Sequence, residues 1–270
     1  MKSNNLLIIR GILFLAALFM LGACENNSGL EDRTYQLVWQ DEFDTDGAPD
    51  GSKWAFDLGG GGWGNNELQA YTNDAQNVVV ADGSLKITAI NNGGTFTSAR
   101  IKTQGKFEQA YGRFEARIKL PWGPGIWPAF WMLGADIETN PWPQCGEIDI
   151  MEYRGQQPNL IHGSVHGPGY SGGAAITKSY GYANNRFDVD YHLFAVEWGE
   201  NFIHYFVDDV LYQAIEPGDL TGEWVFDNPF FIILNVAVGG DYVGFPTSDT
   251  PFPQTMYVDY VRVYTEVNDK

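Results

Sequence analysis

The sequence predicts an all-β protein in which two antiparallel sheets pack face to face. Short runs of alternating apolar and polar residues recur along the chain, so each strand would bury one face. Gly, Asn, Asp or Pro separates these runs, and no apolar pattern of helical period persists for long. The clearest runs span residues 77–80, 84–90, 112–120, 194–198, 202–207, 231–238 and 257–264. Hairpin turns are expected at Asp82-Gly83, Asn92-Gly93 and Asp208-Asp209.

Residues 1–23 are predicted to be an export signal and not part of the fold. Two basic residues precede an apolar stretch, 11–21, that is too short for a comfortable membrane span. The stretch ends in Leu21-Gly22-Ala23-Cys24, which resembles the lipobox of bacterial lipoproteins. The resemblance implies cleavage before Cys24 and lipidation of that residue; an ordinary secretory signal with an incidental cysteine is the alternative. With residues 24–34 as a tether, we expect an outer-membrane lipoprotein on the periplasmic or cell-surface side.

Residues 35–266 are predicted to form a single catalytic β-sandwich domain. No linker, internal repeat or charge block interrupts this stretch. The formal net charge of −18 argues against nucleic acid as a partner, because phosphates would be repelled. A neutral or non-anionic substrate fits this charge better than a sulfated one, and we expect a monomer. If Cys24 carries lipid, Cys145 is the one thiol left, so we interpret it as a packing residue.

Three acidic residues, Glu147, Asp149 and Glu152, carry the strongest chemical signal in the chain. In a strand, Glu147 and Asp149 share one face while the isoleucines between them point into the core. Strict alternation would bury Glu152, so we expect a β-bulge near Met151 that returns this carboxylate to the acidic face. Two carboxyls about 5–5.5 Å apart are what retaining glycoside hydrolysis requires. A solvated acidic strand is the alternative interpretation.

Aromatic and amide residues surround this strand in the sequence. Residues 121–131 hold three tryptophans among prolines and glycines, and indole rings stack on the C–H faces of sugars. Residues 59–67 join five glycines to Trp63 and two asparagines, whose amides suit hydroxyl-rich ligands. His162 and His166 follow on an alternating run, where a structural role is the alternative for each. No spacing typical of a zinc site, a Ser-His-Asp triad or a phosphate loop occurs, so no cofactor is expected for catalysis.

Five segments together resemble the family 16 glycoside hydrolases, in their order along residues 35–265. They are Trp39–Phe43, Ile126–Met132, Glu147–Glu152, Asn235–Gly240 and Val258–Tyr264. The similarity is greatest to the bacterial laminarinases, which are endo-acting β-1,3-glucanases. It implies a β-jelly-roll sandwich of two curved antiparallel sheets with an open substrate cleft on the concave face.

The same resemblance implies roles for individual residues. Glu147 would be the nucleophile, Glu152 the general acid and base, and Asp149 the helper that holds Glu147 in place. Because Glu152 must be protonated first, its carboxyl is the one expected to have the raised pKa. Positions that hold sugars in such enzymes correspond here to Asn65, Arg100, Trp127, Trp131, His166 and Asn235.

A structural calcium ion is a further implication of the resemblance. Its ligands would be Glu42, a carbonyl near Gly83, and Asp259, since hard oxygen ligands suit Ca²⁺. The alternative is that Asp259 caps a strand and that no metal binds.

Several alternatives for the function stay open at this stage. The six-residue acidic motif is shared with agarases, carrageenases and porphyranases, whereas the five-residue form typical of lichenases is absent. Mixed-linkage β-1,3-1,4-glucan remains a possible second substrate. The same covalent intermediate would also serve a transglycosylase. A non-catalytic glucan-binding lipoprotein is the competing class, although members without catalysis lose one or both glutamates and this chain keeps both.

Overall fold

The structure is a computed structural model that describes residues 33–267. Within these residues seventeen strands, β1 to β17 in chain order, have the bounds Thr34–Asp41, Ala55–Asp57, Ala70–Tyr71, Val78–Ala81, Ser84–Asn92, Thr95–Ser98, Arg100–Lys102, Gly112–Lys119, Ile126–Gly134, Glu147–Glu152, Leu160–His166, Ile176–Gly181, Tyr191–Gly199, Phe202–Val207, Val210–Ile215, Phe230–Val238 and Gln254–Val267. Two short 3₁₀ turns span Gly172–Ala174 and Pro217–Asp219. The predicted signal peptide and Cys24 lie outside the described residues. No helix within 33–267 is long and apolar enough to cross a membrane.

The strands form two sheets, which confirms the predicted all-β class. One sheet follows the order β15-β14-β13-β8-β17-β5-β6-β3, with β1 also paired to β17 and β4 to β5. The other follows the order β12-β11-β10-β9-β16-β7-β2. Neighbouring strands in the described chain run antiparallel, apart from the parallel pair β3 and β6. The acidic strand β10 lies in the seven-stranded sheet, between β9 and β11.

Two of the three predicted hairpin turns lie at the expected residues. Asp82-Gly83 joins β4 to β5 with φ angles of 55° and 70°, and Asp208-Asp209 joins β14 to β15 with 49° and 61°. Positive φ at both central residues is what a two-residue type I′ turn demands. The third turn lies one residue later than predicted, at Gly93-Gly94, because two glycines in succession adopt positive φ more readily than Asn92 does.

The main apolar core fills the space between the sheets. On β8, Phe114, Ala116 and Ile118 are fully buried, and the alternate residues Arg113 and Arg117 are not. This is the alternation expected of a strand with one face in the core. The central strand β16 is buried at every position, because one of its faces packs in the core and the other lies beneath neighbouring side chains.

A bulge interrupts β10 where the alternation of acids predicted one. Against β9, Asp149 pairs with Trp131, while Met151 pairs with the preceding residue of β9. The pairing with β11 also shifts between Asp149 and Glu152. As a result Met151 is fully buried in the core, and Glu152 returns to the side of Asp149.

Candidate active site

The three acids of β10 lie along an open cleft of about 910 Å³. The bulge brings Glu147, Asp149 and Glu152 to its floor, although the last is separated from the second by two residues. The cleft also contains all six predicted sugar-binding residues, namely Asn65, Arg100, Trp127, Trp131, His166 and Asn235. The structure therefore brings the acid row and these six residues into one cleft.

Glu147 lies at the N-terminal end of the row, next to the connection between β9 and β10. Its Oε2 accepts a hydrogen bond of 2.8 Å from the indole N–H of Trp142. Its Oε1 lies 3.8 Å from Nε2 of His166. Burial, reinforced by the charge of Asp149, raises the pKa of Glu147 to about 8.

Glu152 lies at the C-terminal end of the row, and 9% of its surface is exposed. Its Oε1 accepts a hydrogen bond of 3.1 Å from the indole N–H of Trp127. The hydroxyl of Ser164 on β11 donates to Oε2 over a longer distance of 3.5 Å. Burial raises the pKa of Glu152 to about 7.

Asp149 is the most deeply buried of the three acids, and His166 is its nearest charge partner. The backbone N–H of Gly172 donates to Nδ1 of His166 over 3.0 Å, so a neutral His166 carries its hydrogen on Nε2. That Nε2 lies 3.0 Å from Oδ2 of Asp149, without the alignment of a full hydrogen bond. Burial and the charge of Glu152 raise the pKa of Asp149.

The electrostatics of the row differ in one respect from the sequence-based expectation. A raised pKa was expected for Glu152 alone, but burial raises the pKa of Glu147 and Asp149 as well. Three neighbouring carboxylates removed from water cannot all be ionised at little cost. The row therefore holds protons near neutral pH, and it titrates as a coupled set.

The part of the cleft formed by β16 and β7 is rich in aromatic and amide groups. The indole N–H of Trp131 donates to Asn235 Oδ1 over 2.7 Å, and Asn235 Nδ2 donates to the Tyr71 hydroxyl over 3.1 Å. The guanidinium of Arg100 lies 4.6 Å from the ring centre of Trp131 and 5.1 Å from that of Trp63. These contacts fix ring orientations before any ligand arrives, which lowers the entropic cost of binding.

Asn65 reaches the same part of the cleft from the glycine-rich loop. Its Nδ2 donates to Glu67 Oε1 over 3.2 Å, and Gln69 donates to the other carboxylate oxygen over 2.6 Å. Burial raises the pKa of Glu67, although these hydrogen bonds oppose the effect. The sequence did not predict a role for Glu67 or Gln69. They reach this region because the loop packs against β16, a contact between segments far apart in the chain.

Trp127 belongs to a stack of three groups in the wall of the cleft next to Glu152. The ring of Tyr242 lies 4.9 Å from that of Trp127, and the Arg154 guanidinium lies 4.0 Å from the Tyr242 ring. The stack holds the indole whose N–H reaches Glu152. Tyr242 carries no sequence signal, since it follows β16 in a loop far along the chain from β9.

One aromatic prediction needs correction, and one tryptophan of the cleft was missed. Trp122 was grouped with the sugar-stacking tryptophans, but it is not among the cleft-lining residues and lies exposed beside the Arg186 guanidinium. Trp142, not singled out from the sequence, lines the cleft instead. A tryptophan five residues before the acidic motif was the available signal. His162 also lines the cleft, with Nδ1 2.8 Å from the Ser179 hydroxyl.

The residues predicted to bind calcium meet along β17. Strand β1 ends opposite Val261, and β5 begins its pairing opposite Val258, so both chain segments approach Asp259. Glu42 directly follows β1, and Gly83 directly precedes β5. The backbone thus brings the three residues to one junction.

The side chains at this junction are already paired with arginines. Both carboxylate oxygens of Glu42 accept hydrogen bonds from Arg262, at 2.8 and 2.9 Å. Asp259 accepts one of 2.7 Å from Arg117. A calcium ion would have to displace both guanidinium groups, so the set in this arrangement does not fit the ion, and calcium remains a prediction from the sequence.

The acid row also offers a group of potential metal ligands. Glu147, Asp149 and His166 each have one ligand atom within 4.8 Å of the others. However, Nδ1 of His166 accepts from the Gly172 N–H, so Nε2 carries the hydrogen and has no free lone pair to offer. We therefore interpret the group as part of the acid row and not as a metal site.

Comparisons with known proteins point to one family. The sequence signature of Glycosyl hydrolases family 16 matches residues 65–262. The chain is 44% identical over 244 residues to the β-glucanase of Rhodothermus marinus, with 85% of each chain covered. It is 47% identical to the laminarinase catalytic domain of Thermotoga maritima MSB8, with a TM-score of 0.82 over 87% of this chain and 99% of that one.

A second solved structure gives the same result. The endo-β-1,3-glucanase from Pyrococcus furiosus is 44% identical, with a TM-score of 0.83 over 88% of this chain and 97% of that one. The signature match spans well over half of the chain and includes the acid row and the six predicted cleft residues. The chain belongs to family 16 of the glycosyl hydrolases.

Proposed function

We propose that this protein is a retaining endo-glycoside hydrolase that cleaves laminarin-type β-1,3-glucan. The observation that carries the proposal is the bulged row of Glu147, Asp149 and Glu152 on the floor of an open, tryptophan-lined cleft. An open cleft admits a chain in its middle, which suits endo action. The named relatives are β-glucanases and laminarinases, which supports β-glucan as the substrate class.

The first half of the reaction forms a covalent glycosyl-enzyme. Glu152 donates its proton to the glycosidic oxygen while the Glu147 carboxylate attacks the anomeric carbon. The bond from that carbon to the glycosidic oxygen breaks, and the leaving sugar departs as an alcohol. The proton that Glu152 needs is held there by burial, with Trp127 orienting the carboxyl through Oε1.

The second half returns the enzyme to its starting state. Glu152, now a carboxylate, takes a proton from water as the water oxygen attacks the anomeric carbon. Glu147 leaves with the electron pair of its ester bond and is restored as a carboxylate. Two inversions at one carbon give net retention. A sugar hydroxyl in place of water would give transglycosylation by the same steps.

Asp149 and His166 serve this reaction by controlling charge around Glu147. The pKa of Asp149 is raised, so Asp149 can hold a proton beside the nucleophile and limit repulsion when Glu147 is ionised. His166 lies within 4 Å of both carboxylates. A nearby Nε2–H favours the ionised form of an acid, which is the form a nucleophile requires.

Substrate alternatives rest on the chemistry of the cleft. Mixed-linkage β-1,3-1,4-glucan shares the neutral glucose units that tryptophan faces stack upon, so we include it as a second substrate. Sulfated or galactan substrates such as carrageenan, agarose or porphyran are the alternative among hydrolases. A non-catalytic glucan-binding protein is disfavoured because both glutamates are present, with indole N–H groups on each.

The first test is product analysis on laminarin, mixed-linkage glucan, agarose and a carrageenan, using protein that begins after Cys24. We expect short oligosaccharides from laminarin, slower release from mixed-linkage glucan, and none from the two galactans. Activity on a galactan alone would keep the mechanism and overturn the glucanase assignment. Tight binding of laminarin without any product would favour the binding protein.

The roles of the two glutamates can be separated with Glu147→Ala and Glu152→Ala. Each should lower laminarin hydrolysis by at least about a thousandfold. An aryl β-glycoside with a good leaving group needs no acid, so Glu152→Ala should still form the covalent intermediate on it and Glu147→Ala should not. Thermal unfolding should show no loss of stability, because removing an acid from a crowded row relieves repulsion. The exposed Glu223→Ala is the matched control, and near-native hydrolysis by either test variant would refute its role.

The pH dependence of kcat/KM on laminarin follows from the raised pKa of Glu152. The productive state needs Glu152 protonated and Glu147 ionised, and the pKa values of the two carboxyls are raised to about 7 and about 8, so activity should be greatest between these pH values and fall above them. On the aryl β-glycoside, whose leaving group needs no proton, the fall should weaken. An alkaline limb near pH 5, the ordinary range of a carboxyl, would show that Glu152 is not desolvated in the working enzyme.

The cellular location remains a proposal from the sequence alone. The lipobox-like Leu21–Cys24 supports a lipid-anchored monomer on the periplasmic or surface side of the outer membrane. Full-length protein expressed in a Gram-negative host should incorporate labelled palmitate and fractionate with membranes. Cys24→Ser should abolish the label, while Cys145→Ser should retain it. Label on Cys24→Ser, or soluble release of the wild type, would contradict the anchor.

A further inference from the structure

Glu67 is a half-buried carboxylate of the cleft that the proposed reaction does not use. It follows the glycine-rich loop and is not part of the acid row. Its Oε1 accepts a hydrogen bond of 3.2 Å from Asn65 Nδ2, and its Oε2 accepts one of 2.6 Å from Gln69 Nε2. The Tyr71 hydroxyl donates to the same Oε2 over 3.4 Å. Three neutral donors therefore converge on one carboxylate.

Two of these donors are the ends of longer hydrogen-bond paths that run toward Glu67. The Tyr71 hydroxyl accepts from Asn235 Nδ2 over 3.1 Å, so its own hydrogen is free to point at the carboxylate. Gln69 Oε1 accepts from the backbone N–H of Val238 over 2.7 Å, so its Nε2 faces the carboxylate. Because an ionised carboxylate only accepts, it gives every path the same direction.

Two of the amides on these paths have an orientation that does not depend on Glu67. An indole N–H only donates, so Trp131 requires the oxygen of the Asn235 amide on its side, 2.7 Å away. A backbone N–H also only donates, and that of Val238 holds the Gln69 oxygen in the same way. Turning either amide would leave a buried donor without an acceptor, which is unfavourable.

Asn65 is the amide whose orientation depends on Glu67. Its backbone is held on both sides, because its N–H donates to the Gly62 carbonyl and its carbonyl accepts from the Asp241 N–H, each over 2.8 Å. Within residues 33–267 its side chain makes one hydrogen bond, the one to Glu67. Its Oδ1 is therefore able to accept from a ligand in the cleft that Asn65 lines.

Arg100 makes an acceptor valuable at this place. It lines the cleft beside the same loop, with its guanidinium 5.1 Å from the ring centre of Trp63. A guanidinium only donates, so a sugar hydroxyl that accepts from Arg100 has its own hydrogen left for an acceptor. Asn65 Oδ1 supplies that acceptor as long as the nitrogen of the same amide is held by Glu67.

We propose that Glu67 is a positioning residue whose ionised carboxylate fixes the Asn65 amide, so that its oxygen and not its NH₂ group meets a hydroxyl of the glucan. This inference rests on the proposed glucanase function. A protonated Glu67 is a donor, and Gln69 cannot turn to accept from it. Asn65 then accepts instead, which turns its oxygen away from the cleft and places NH₂ donors beside those of Arg100. The sugar hydroxyl loses its acceptor.

The pKa of Glu67 sets the pH at which this control is lost. Burial raises that pKa, although hydrogen bonds from Gln69 and Asn65 and the charge of Arg100 oppose the rise. The ionised form carries the effect, so the effect should disappear as pH falls through the raised pKa, at a higher pH than for an exposed glutamate. The other titratable or charged groups on the neighbouring segments are Tyr71, Asp57, Lys102 and Asp241.

The first test compares the wild type with Glu67→Gln on laminarihexaose over a range of pH. Because Gln69 cannot turn, the new NH₂ group faces Asn65 and reverses its amide. At neutral pH, KM should rise about tenfold, the effect of roughly one hydrogen bond, with kcat changed less than about twofold. As pH falls, the ratio of the variant KM to the wild-type KM should approach one, since the wild type then loses the same orientation. The acid row is the same in both proteins, so its titration cancels in this ratio.

A double-mutant cycle tests whether Glu67 acts through Asn65. Asn65→Ala should also raise KM, and adding Glu67→Gln to it should raise KM by less than about twofold more, because no amide is left to orient. The KM of Asn65→Ala relative to wild type should fall in acid too, which tests the pH dependence without a change at Glu67. Glu223→Gln, which removes an exposed carboxylate outside the cleft, is the matched control and should change neither KM nor kcat.

The remaining outcomes all count against the inference. An unchanged KM in Glu67→Gln would refute the positioning role. A KM ratio that stays constant with pH, or losses that add in the double variant, would show that Glu67 only supports the loop. A fall in kcat equal to the rise in KM would refute a role limited to binding. If the wild type does not cleave laminarihexaose at all, the proposed function fails, and the sugar-binding part of this inference fails with it.

Discussion

The site depends on a single extra residue in one strand. Without the bulge between Asp149 and Glu152, strict alternation would turn Glu152 into the apolar core and Met151 toward the cleft. Both outcomes are unfavourable, because a buried carboxylate without a partner and an exposed thioether each lose free energy. The bulge avoids both outcomes. The two neighbouring strands accommodate it, because the pairing of β10 with each of them shifts at the same place.

Once three acids share one face, their neighbours must control charge. Burial raises all three pKa values, so the row cannot carry three negative charges. Indole N–H groups from two different parts of the chain reach the two outer acids, Trp142 to Glu147 and Trp127 to Glu152. Donors without charge can orient a carboxylate while leaving its proton free to move, which suits acids that alternate between protonation states.

The cleft is chemically different on the two sides of the acid row. Toward β16 and β7, Trp131, Asn235 and Arg100 form an ordered network of rings, amides and a guanidinium. Toward β11, the turn at Gly172–Gly173 supplies backbone and open space. The two sides of the row therefore offer a bound sugar chain different contacts.

The local pattern of the sequence determined the most regular strands, two of the three expected turns and the bulge, because alternation and turn chemistry act between residues close together in the chain. It also indicated the acid triplet, and resemblance supplied the six cleft residues. Only the tertiary structure decided that Trp142, Glu67 and Tyr242 join the cleft and that Trp122 does not. It also turned Glu42 and Asp259 toward arginines. These outcomes depend on contacts between distant segments and on shared burial of several acids, and no local spacing encodes where separate loops converge or how much water they exclude.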